Sequence, residues 1–316
     1  MMVSKTVYPM YLKGEYMKKV FFLVMFLSFS VKASDIWYTP NVTNYTDIII
    51  NDKDGQILKN VSVFKLLYEN IAHSSDSDLR KLFTYLRNKN IKFALEAPAL
   101  VWNNNKGYKV EGFAPPGLLK AVLKKIKNNG GDLSYVAMDE PYYFSKLYNK
   151  KNKANLSDSD FIEQVSTSIK LVHEYFPYAE IGDIEPFTQI ENSGALGKYF
   201  SIIDFLGKSK DTHLEFINYD PLWGANWVLT VRKLADLTKK RSMKLGIIFN
   251  AKPGINVQSL WLKSVVLNMQ SFKNNRLPID NVIIQSWGGI PIKFFPRVKG
   301  ESHLGLIDSA EQTFDN

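Results

Sequence analysis

Short apolar runs alternate with amphipathic segments along most of the chain. The apolar runs favour strands, because β-branched and aromatic residues are frequent in them, and they cover residues 61–67, 91–97, 133–138, 180–185, 214–219, 244–249 and 281–286. Between these runs, apolar residues recur at the three- and four-residue spacing of one buried helical face, over residues 78–87, 117–128, 158–175, 199–206, 226–240 and 258–275. A shorter run at residues 47–50 supplies an eighth candidate strand.

Strands that alternate with single helices must be parallel, because each helix returns the chain to the same edge of the sheet. An open doubly wound sheet and a (β/α)8 barrel both satisfy this pattern. Polar or aromatic residues end nearly every strand, namely Glu96, Asp139, Glu140, Glu185, Asp220, Asn250, Gln285 and Trp287. A barrel gathers all strand ends around one mouth, so we predict a single α/β domain over residues 34–316 with a (β/α)8 TIM-type barrel.

The first 33 residues have the pattern of a secretory leader. Lys18 and Lys19 precede an apolar run at residues 20–31, and Val31-Lys32-Ala33 fits a signal peptidase site. We expect translation to start at Met17 and cleavage to follow Ala33, which predicts export to the periplasm or outside the cell. The apolar run is shorter than the ~20 residues that span a bilayer, so we expect no stable membrane anchor after processing.

Composition indicates an ordinary globular protein, with 45% hydrophobic and 22% charged residues and no cysteine. Loss of residues 1–33, which carry five lysines and one glutamate, lowers the formal net charge from +9 to +5. The basic clusters at residues 124–127 and 239–241 fall at predicted helix ends, where cations complement the helix dipole. We therefore expect no nucleic-acid partner, and the sequence leaves the oligomeric state open.

Three strand ends share one chemistry, an acid followed by proline, at Asp139-Glu140-Pro141, Glu185-Pro186 and Asp220-Pro221. Two carboxylates that face each other across a cleft are the minimal equipment for cleaving a glycosidic bond. We predict Glu140 as the general acid, because it follows an apolar strand and burial would raise its pKa, and Glu185 as the second catalytic carboxylate. A carboxylate that caps the next helix or pairs with a lysine is the structural alternative for Glu140.

Aromatic side chains also cluster on or just after the predicted strand ends. Their rings can stack on the C–H faces of sugars, while acids and amides bind the hydroxyl groups. The predicted substrate-binding residues are Glu96, Trp102, Asp139, Tyr142, Asp220, Trp223, Asn250, Gln285 and Trp287. The expected partner is therefore a carbohydrate substrate.

The chain resembles the secreted (β/α)8-barrel glycoside hydrolases of the clan whose acid/base glutamate lies in an Asn-Glu-Pro motif after the fourth strand. Asp139-Glu140-Pro141 is similar to that motif, and Ile284-Gln285-Ser286-Trp287 is similar to the final strand whose tryptophan forms the floor of the sugar site. The resemblance covers about residues 47–290. It implies an exported glycoside hydrolase that acts on a polysaccharide or oligosaccharide, with Glu140 as acid/base.

One position departs from the clan. With residues 47–50 counted as the first strand, the seventh ends in Asn250, where the clan carries its nucleophilic glutamate. Because an amide cannot act as that nucleophile, three hypotheses remain open: Glu185 or another acid replaces it, the mechanism inverts, or the barrel binds sugar without cleaving it. A non-catalytic carbohydrate-binding barrel is thus the alternative function, and a structural envelope protein is a third.

Several common chemistries have no signal in the chain. The four histidines lack metal-ligand spacing, and there is no glycine-rich phosphate loop, Gly-x-Ser-x-Gly elbow or cysteine nucleophile. We therefore expect neither a metal nor another cofactor. The sugar, the linkage, exo or endo action and the stereochemical outcome are left open.

Overall fold

The computed structural model describes residues 34–40, 45–103, 106–208, 212–224, 226–286 and 294–314. Within these residues, eight parallel strands close into a barrel in sequence order, and the last strand pairs with the first. The strands are β1 Asp35–Tyr38, β2 Val63–Leu67, β3 Lys92–Ala97, β4 Leu133–Asp139, β5 Glu180–Glu185, β6 Phe216–Tyr219, β7 Lys244–Phe249 and β8 Asn281–Ile284. The predicted barrel is confirmed, whereas the leader over residues 1–33 lies outside the described residues and stays a prediction.

Helices follow the strands and cover the outside of the barrel. They are α1 Tyr45–Asn51, α2 Tyr68–His73, α3 Asp76–Asn88, α4 Leu118–Asn128, α5 Asp158–Tyr175, α6 Phe187–Asn192, α7 Leu196–Leu206, α8 Trp227–Lys239, α9 Gln258–Asn274 and α10 Gly305–Phe314. A π-helical turn covers Tyr143–Leu147, and Leu100–Val101 pairs with Phe113–Ala114 in a small separate sheet. Among the described helices, none has both the length and the apolar character needed to cross a bilayer.

The first barrel strand lies earlier in the chain than the sequence predicts. Residues 47–50 belong to helix α1, in which Tyr45 and Ile48 lie one turn apart and face the core while Ile50 is 70% exposed. Strand β1 is formed instead by Asp35–Tyr38, which pairs with β8 on one side and β2 on the other. Because one strand replaces the other, Glu140 still follows the fourth strand and Asn250 still follows the seventh.

The inside of the barrel is filled by one side chain or more from each strand, and these form a buried cluster of Trp37, Val63, Ala94, Tyr135, Ala137, Ile184, Phe216, Ile248 and Ile283. Successive side chains of a strand alternate between its two faces. On β4 the inward position of Ala137 therefore turns Asp139 inward as well. On β5 the inward position of Ile184 turns Glu185 outward, toward the surrounding helices.

Candidate active site

A cavity of about 410 Å³ lies over the ends of β2, β3 and β4. Four acids line it, together with three aromatic side chains and a lysine. The lining residues are Leu67, Tyr68, Glu69, Glu96, Pro98, Trp102, Lys109, Val110, Glu111, Gly112, Phe113 and Asp139. The volume is within the range of ligand sites.

A buried ion pair forms one side of this acidic cluster. The Lys65 ammonium donates hydrogen bonds to the Glu96 carboxylate and to the side-chain carbonyl of Gln285. The Gln285 amide in turn donates to Glu96 Oε2 at 3.1 Å, and all three residues are at most 3% exposed. The sequence predicts Glu96 and Gln285 as site residues but misses Lys65, whose signal is a lone lysine within the apolar strand β2.

Asp139 projects from the end of β4 and lines the cavity. Burial, followed by the charges of Glu96 and Glu111, raises the pKa of Asp139 well above its usual range. The Lys65 charge opposes this shift.

Glu140 follows Asp139 in a strained backbone conformation, with φ at 44°. Its N–H donates to the Ile184 carbonyl at 3.0 Å, which fixes the turn against β5. The residue is 9% exposed, and no hydrogen bond links its carboxyl to a described residue. Burial, then the charges of Asp220 and Asp139, raises its pKa well above the usual range, which favours a protonated carboxyl that can act as an acid.

Asp220 follows β6, and its charge is the largest electrostatic influence on Glu140. Its carboxylate accepts a hydrogen bond from Asn250 Nδ2 at 3.3 Å. Burial, followed by the charges of Glu111 and Glu96, raises the pKa of Asp220 to about 7. The structure thus brings the charge of Asp220 to bear on Glu140, which lies eighty residues earlier in the chain.

Glu111 belongs to the same cluster and was missed by the sequence analysis. It lies in the long loop after β3, and the adjacent Gly112 packs so closely on β4 that a Cβ there would approach the Asp139 carbonyl oxygen to 2.7 Å. Partial burial and the charges of Glu96 and Glu69 raise the pKa of Glu111 to about 6. Loops carry no periodic pattern from which such a position could be predicted. The feature that places Glu111 is the positive φ of Gly112, and a sequence does not show backbone angles.

Glu185, the predicted second catalytic carboxylate, has a different environment. It is fully buried and accepts hydrogen bonds from the backbone N–H groups of Tyr142 at 2.6 Å and Tyr143 at 3.0 Å. It does not line the cavity. The outward direction of its side chain from β5 explains this position, in which Glu185 stabilises the helical turn that follows Glu140.

The aromatic residues divide into two groups. Trp102 lines the cavity and packs edge-to-face on Tyr108, with ring centroids 5.2 Å apart. Tyr142 and Trp223, by contrast, are only 1% and 2% exposed and pack within the core, so neither predicted sugar-binding ring has a face open to a ligand. Trp287 lies outside the described residues. Tyr68 and Phe113 line the cavity although the sequence analysis did not select them.

The described residues contain no group of three or more His, Cys, Asp or Glu side chains that could hold a metal ion. Asn250 is half-buried, and its Oδ1 has no hydrogen-bond partner among the described residues. The arrangement therefore offers carboxyl groups of unequal acidity, aromatic rings, and the Asn250 amide oxygen, to which no described residue donates a hydrogen bond.

No protein-family model matches the chain, and no curated protein matches its sequence. Solved structures do match its fold. An endo-1,4-beta-mannanase from Rhizomucor miehei matches with a TM-score of 0.56 and 6% identity over 89% of this chain and 95% of that one. A GH10 endoxylanase from a sugarcane soil metagenome (TM-score 0.52, 9% identity) and xylanase XynB from Paenibacillus barcinonensis (0.51, 11%) each match over 82% of this chain and 88% of theirs. At these identities the likeness establishes the (β/α)8 barrel fold.

Proposed function

We propose that this protein is a glycoside hydrolase that cleaves an oligosaccharide or polysaccharide by carboxylate acid/base chemistry. The observation that carries the proposal is that Glu140 and Asp220 follow β4 and β6, that both have raised pKa values, and that the Asp220 charge is the largest electrostatic contribution to the shift of Glu140. Glycosidic cleavage needs one carboxyl that donates a proton and one carboxylate that activates water or attacks the sugar. The fold that this chain shares with a mannanase and with xylanases supports the same reaction class.

The surroundings of the two carboxyl groups favour one assignment of roles. Glu140 is the general acid, because its carboxyl has no hydrogen bond from a described residue that would stabilise the charged form. Asp220 is the second carboxylate, because the Asn250 amide and the Lys65 charge both favour its ionised form. Glu185 contributes indirectly, since it stabilises the turn that carries Glu140.

Export to the periplasm or outside the cell is part of the proposal and is supported by the leader pattern at residues 18–33. An exported barrel would meet glycans of the cell envelope or of the surroundings. The carbohydrate-binding alternative is favoured by one observation, the amide of Asn250 at the end of β7. Both functions place a sugar at the same mouth, so cleavage is the property that separates them.

The test is to incubate the purified protein with a panel of bacterial and plant glycans and to measure new reducing ends. Glu140→Gln should lower turnover by several hundredfold or more, within the ~100- to 10,000-fold range of general acid catalysis, while circular dichroism shows an intact fold. Glu174→Gln, an exposed acid on α5, is the matched control and should leave turnover unchanged.

Unchanged turnover in Glu140→Gln would remove that residue from the mechanism. Binding of a glycan without any release would overturn hydrolysis in favour of the carbohydrate-binding barrel. Once a substrate is found, following the anomeric configuration of the first product by NMR decides between retention and inversion.

A further inference from the structure

Carboxyl groups are concentrated at the mouth of the barrel. Four acids line the cavity there, Glu69, Glu96, Glu111 and Asp139, and Glu140 and Asp220 follow the ends of β4 and β6. Of the two lysines nearby, Lys65 is already paired with Glu96, and the Nζ of Lys109 lies over the Tyr108 ring, 5.4 Å from its centroid. The whole chain carries a formal net charge of +9, so an acidic composition does not explain this concentration.

The cavity lining holds four acids against one lysine, Lys109, so an excess of negative charge develops wherever these acids ionise. Like charges in a partly desolvated cavity repel one another strongly, because the effective dielectric constant is low. Glu140 is more than nine-tenths buried, directly follows Asp139, and has a pKa that burial and then the Asp220 charge raise well above its usual range. A neutral sugar hydroxyl would leave the repulsion in place, a sugar carboxylate would increase it, and an ammonium group would relieve it.

The aromatic residues of the cavity suit the same ligand. Tyr68, Trp102 and Phe113 lie beside Glu69 and Glu111 in the lining. An aromatic face attracts a cation and also packs on the C–H face of a sugar ring. Rings and carboxylates together thus match a sugar that carries a protonated amine.

We propose that the mouth selects glycans built from amino sugars with free amines, and that an ammonium group of the substrate binds among Glu69, Glu111 and Asp139. This inference rests on the proposed hydrolase function, which it deepens by naming the class of substrate. Uronic-acid and sulfated glycans are poor ligands for this mouth, and N-acetylated glycans lose the charge that it recognises.

The test compares one polymer in two charge states. A glucosamine polymer and a galactosamine polymer are each offered with free amines and after N-acetylation, so that linkage stays the same while the charge is removed. Calorimetry at about pH 7, above the pKa of about 6 of Glu111, should show at least about tenfold tighter binding of the free-amine form, equivalent to ~1.4 kcal/mol. Added salt should reduce the difference, since part of this cavity is open to solvent.

Variants locate the binding. Glu111→Gln and Glu69→Gln should each reduce the preference for the free amine without weakening the N-acetylated form, whereas Glu174→Gln on the outer face of α5 should not change it. Equal binding of the two polymer forms overturns the inference. A preference that survives in both mouth variants also overturns it, because the polymer would then bind elsewhere.

The outcomes separate this inference from the proposed function. Cleavage of neutral glycans without a preference for free amines leaves the hydrolase standing and removes the charge selection. Binding that prefers free amines in the absence of any cleavage removes the hydrolase and leaves a barrel that binds cationic glycans.

Discussion

Lys65 is a fully buried cation inside the barrel, and its two partners come from β3 and from the end of β8. It pairs with Glu96 on β3 and also binds Gln285 just after β8. A buried charge is tolerated only when it is paired and hydrogen-bonded, because leaving water is costly. The ion pair therefore fixes the position of Glu96, which influences both Asp139 and Asp220.

Replacing Lys65 by methionine should destabilise the protein by ~3 to 5 kcal/mol, because Glu96 would remain buried without its cation. Chemical denaturation gives this difference as a shift of the unfolding midpoint. The double variant Lys65→Met/Glu96→Gln removes both charges and should recover part of the loss. A single variant that is as stable as the unmodified protein would show that the ion pair contributes little.

Sequence reasoning selects most acids of the mouth, but it does not show that Glu185 turns away from the cavity that Glu96 and Asp139 line. The reason is that both faces of β5 are buried, one against the barrel interior and one against the helices. An apolar run therefore does not show which of its acids faces inward. Only the register of the barrel turns Glu185 outward, where the N–H groups of Tyr142 and Tyr143 bind it.

The loop between β3 and α4 extends the site beyond the strand ends. It forms the small sheet of Leu100–Val101 and Phe113–Ala114 and brings Glu111 to the cavity. Gly112 makes this possible, with φ at 78° and no Cβ to contact the β4 backbone. The loop therefore positions an acid that no barrel strand supplies.

Gly112→Ala should be more harmful than the same change at Gly194, which also has a positive φ but has no neighbouring atom within 4 Å of an added Cβ. Both variants carry the cost of a left-handed alanine, ~1 to 2 kcal/mol. Only Gly112→Ala adds a clash with the Asp139 carbonyl, so it should also reduce turnover and glycan affinity. Equal thermal stability and equal activity in the two variants would contradict the packing role of this loop.

The elements were predictable where the apolar period was clear. Strands β2 to β8 coincide with the apolar runs, and the Ser157 hydroxyl caps α5 by accepting a hydrogen bond from Asp160 N–H. The first strand of the barrel was not predictable, because residues 47–50 are too few to distinguish a strand from one helical turn. Tertiary packing decides there: β1 is buried between β8 and β2, whereas α1 buries one face only.

At the scale of the whole molecule, burial raises the pKa values of several acids at once. The groups shifted well above their usual range are Asp139, Glu140, Asp183 and Glu185, and the pKa of Asp220 is raised to about 7. Buried His303 is shifted the other way, to a pKa of about 3, so its contribution to stability is complete above its unfolded pKa of ~6.5. The partners Lys146 and Arg241 lower the pKa values of Asp158 and Asp204. The stability that these two acids contribute is therefore lost only when the pH falls below their unfolded pKa of ~3.9.

Stability should therefore fall as the pH rises from about 5 to about 7, because the acids with raised pKa values outnumber His303, whose contribution grows over part of the same range. An acid whose folded pKa is raised stabilises the fold fully below its unfolded pKa of about 4, and this contribution is lost as the pH passes the folded value. For Asp220 the loss runs from its unfolded pKa of ~4 up to its folded value of about 7, and Glu140, whose pKa burial raises well above its usual range, adds to it. Since ~1 kcal/mol corresponds to ~2 °C in a domain of this size, we expect calorimetry to show a Tm at least ~5 °C lower at the higher pH. The double variant Glu140→Gln/Asp220→Asn removes two of the titrating groups, so its Tm should depend less steeply on pH. A Tm of the unmodified protein that stays level or rises with pH would show that these acids are ionised in the folded barrel without cost.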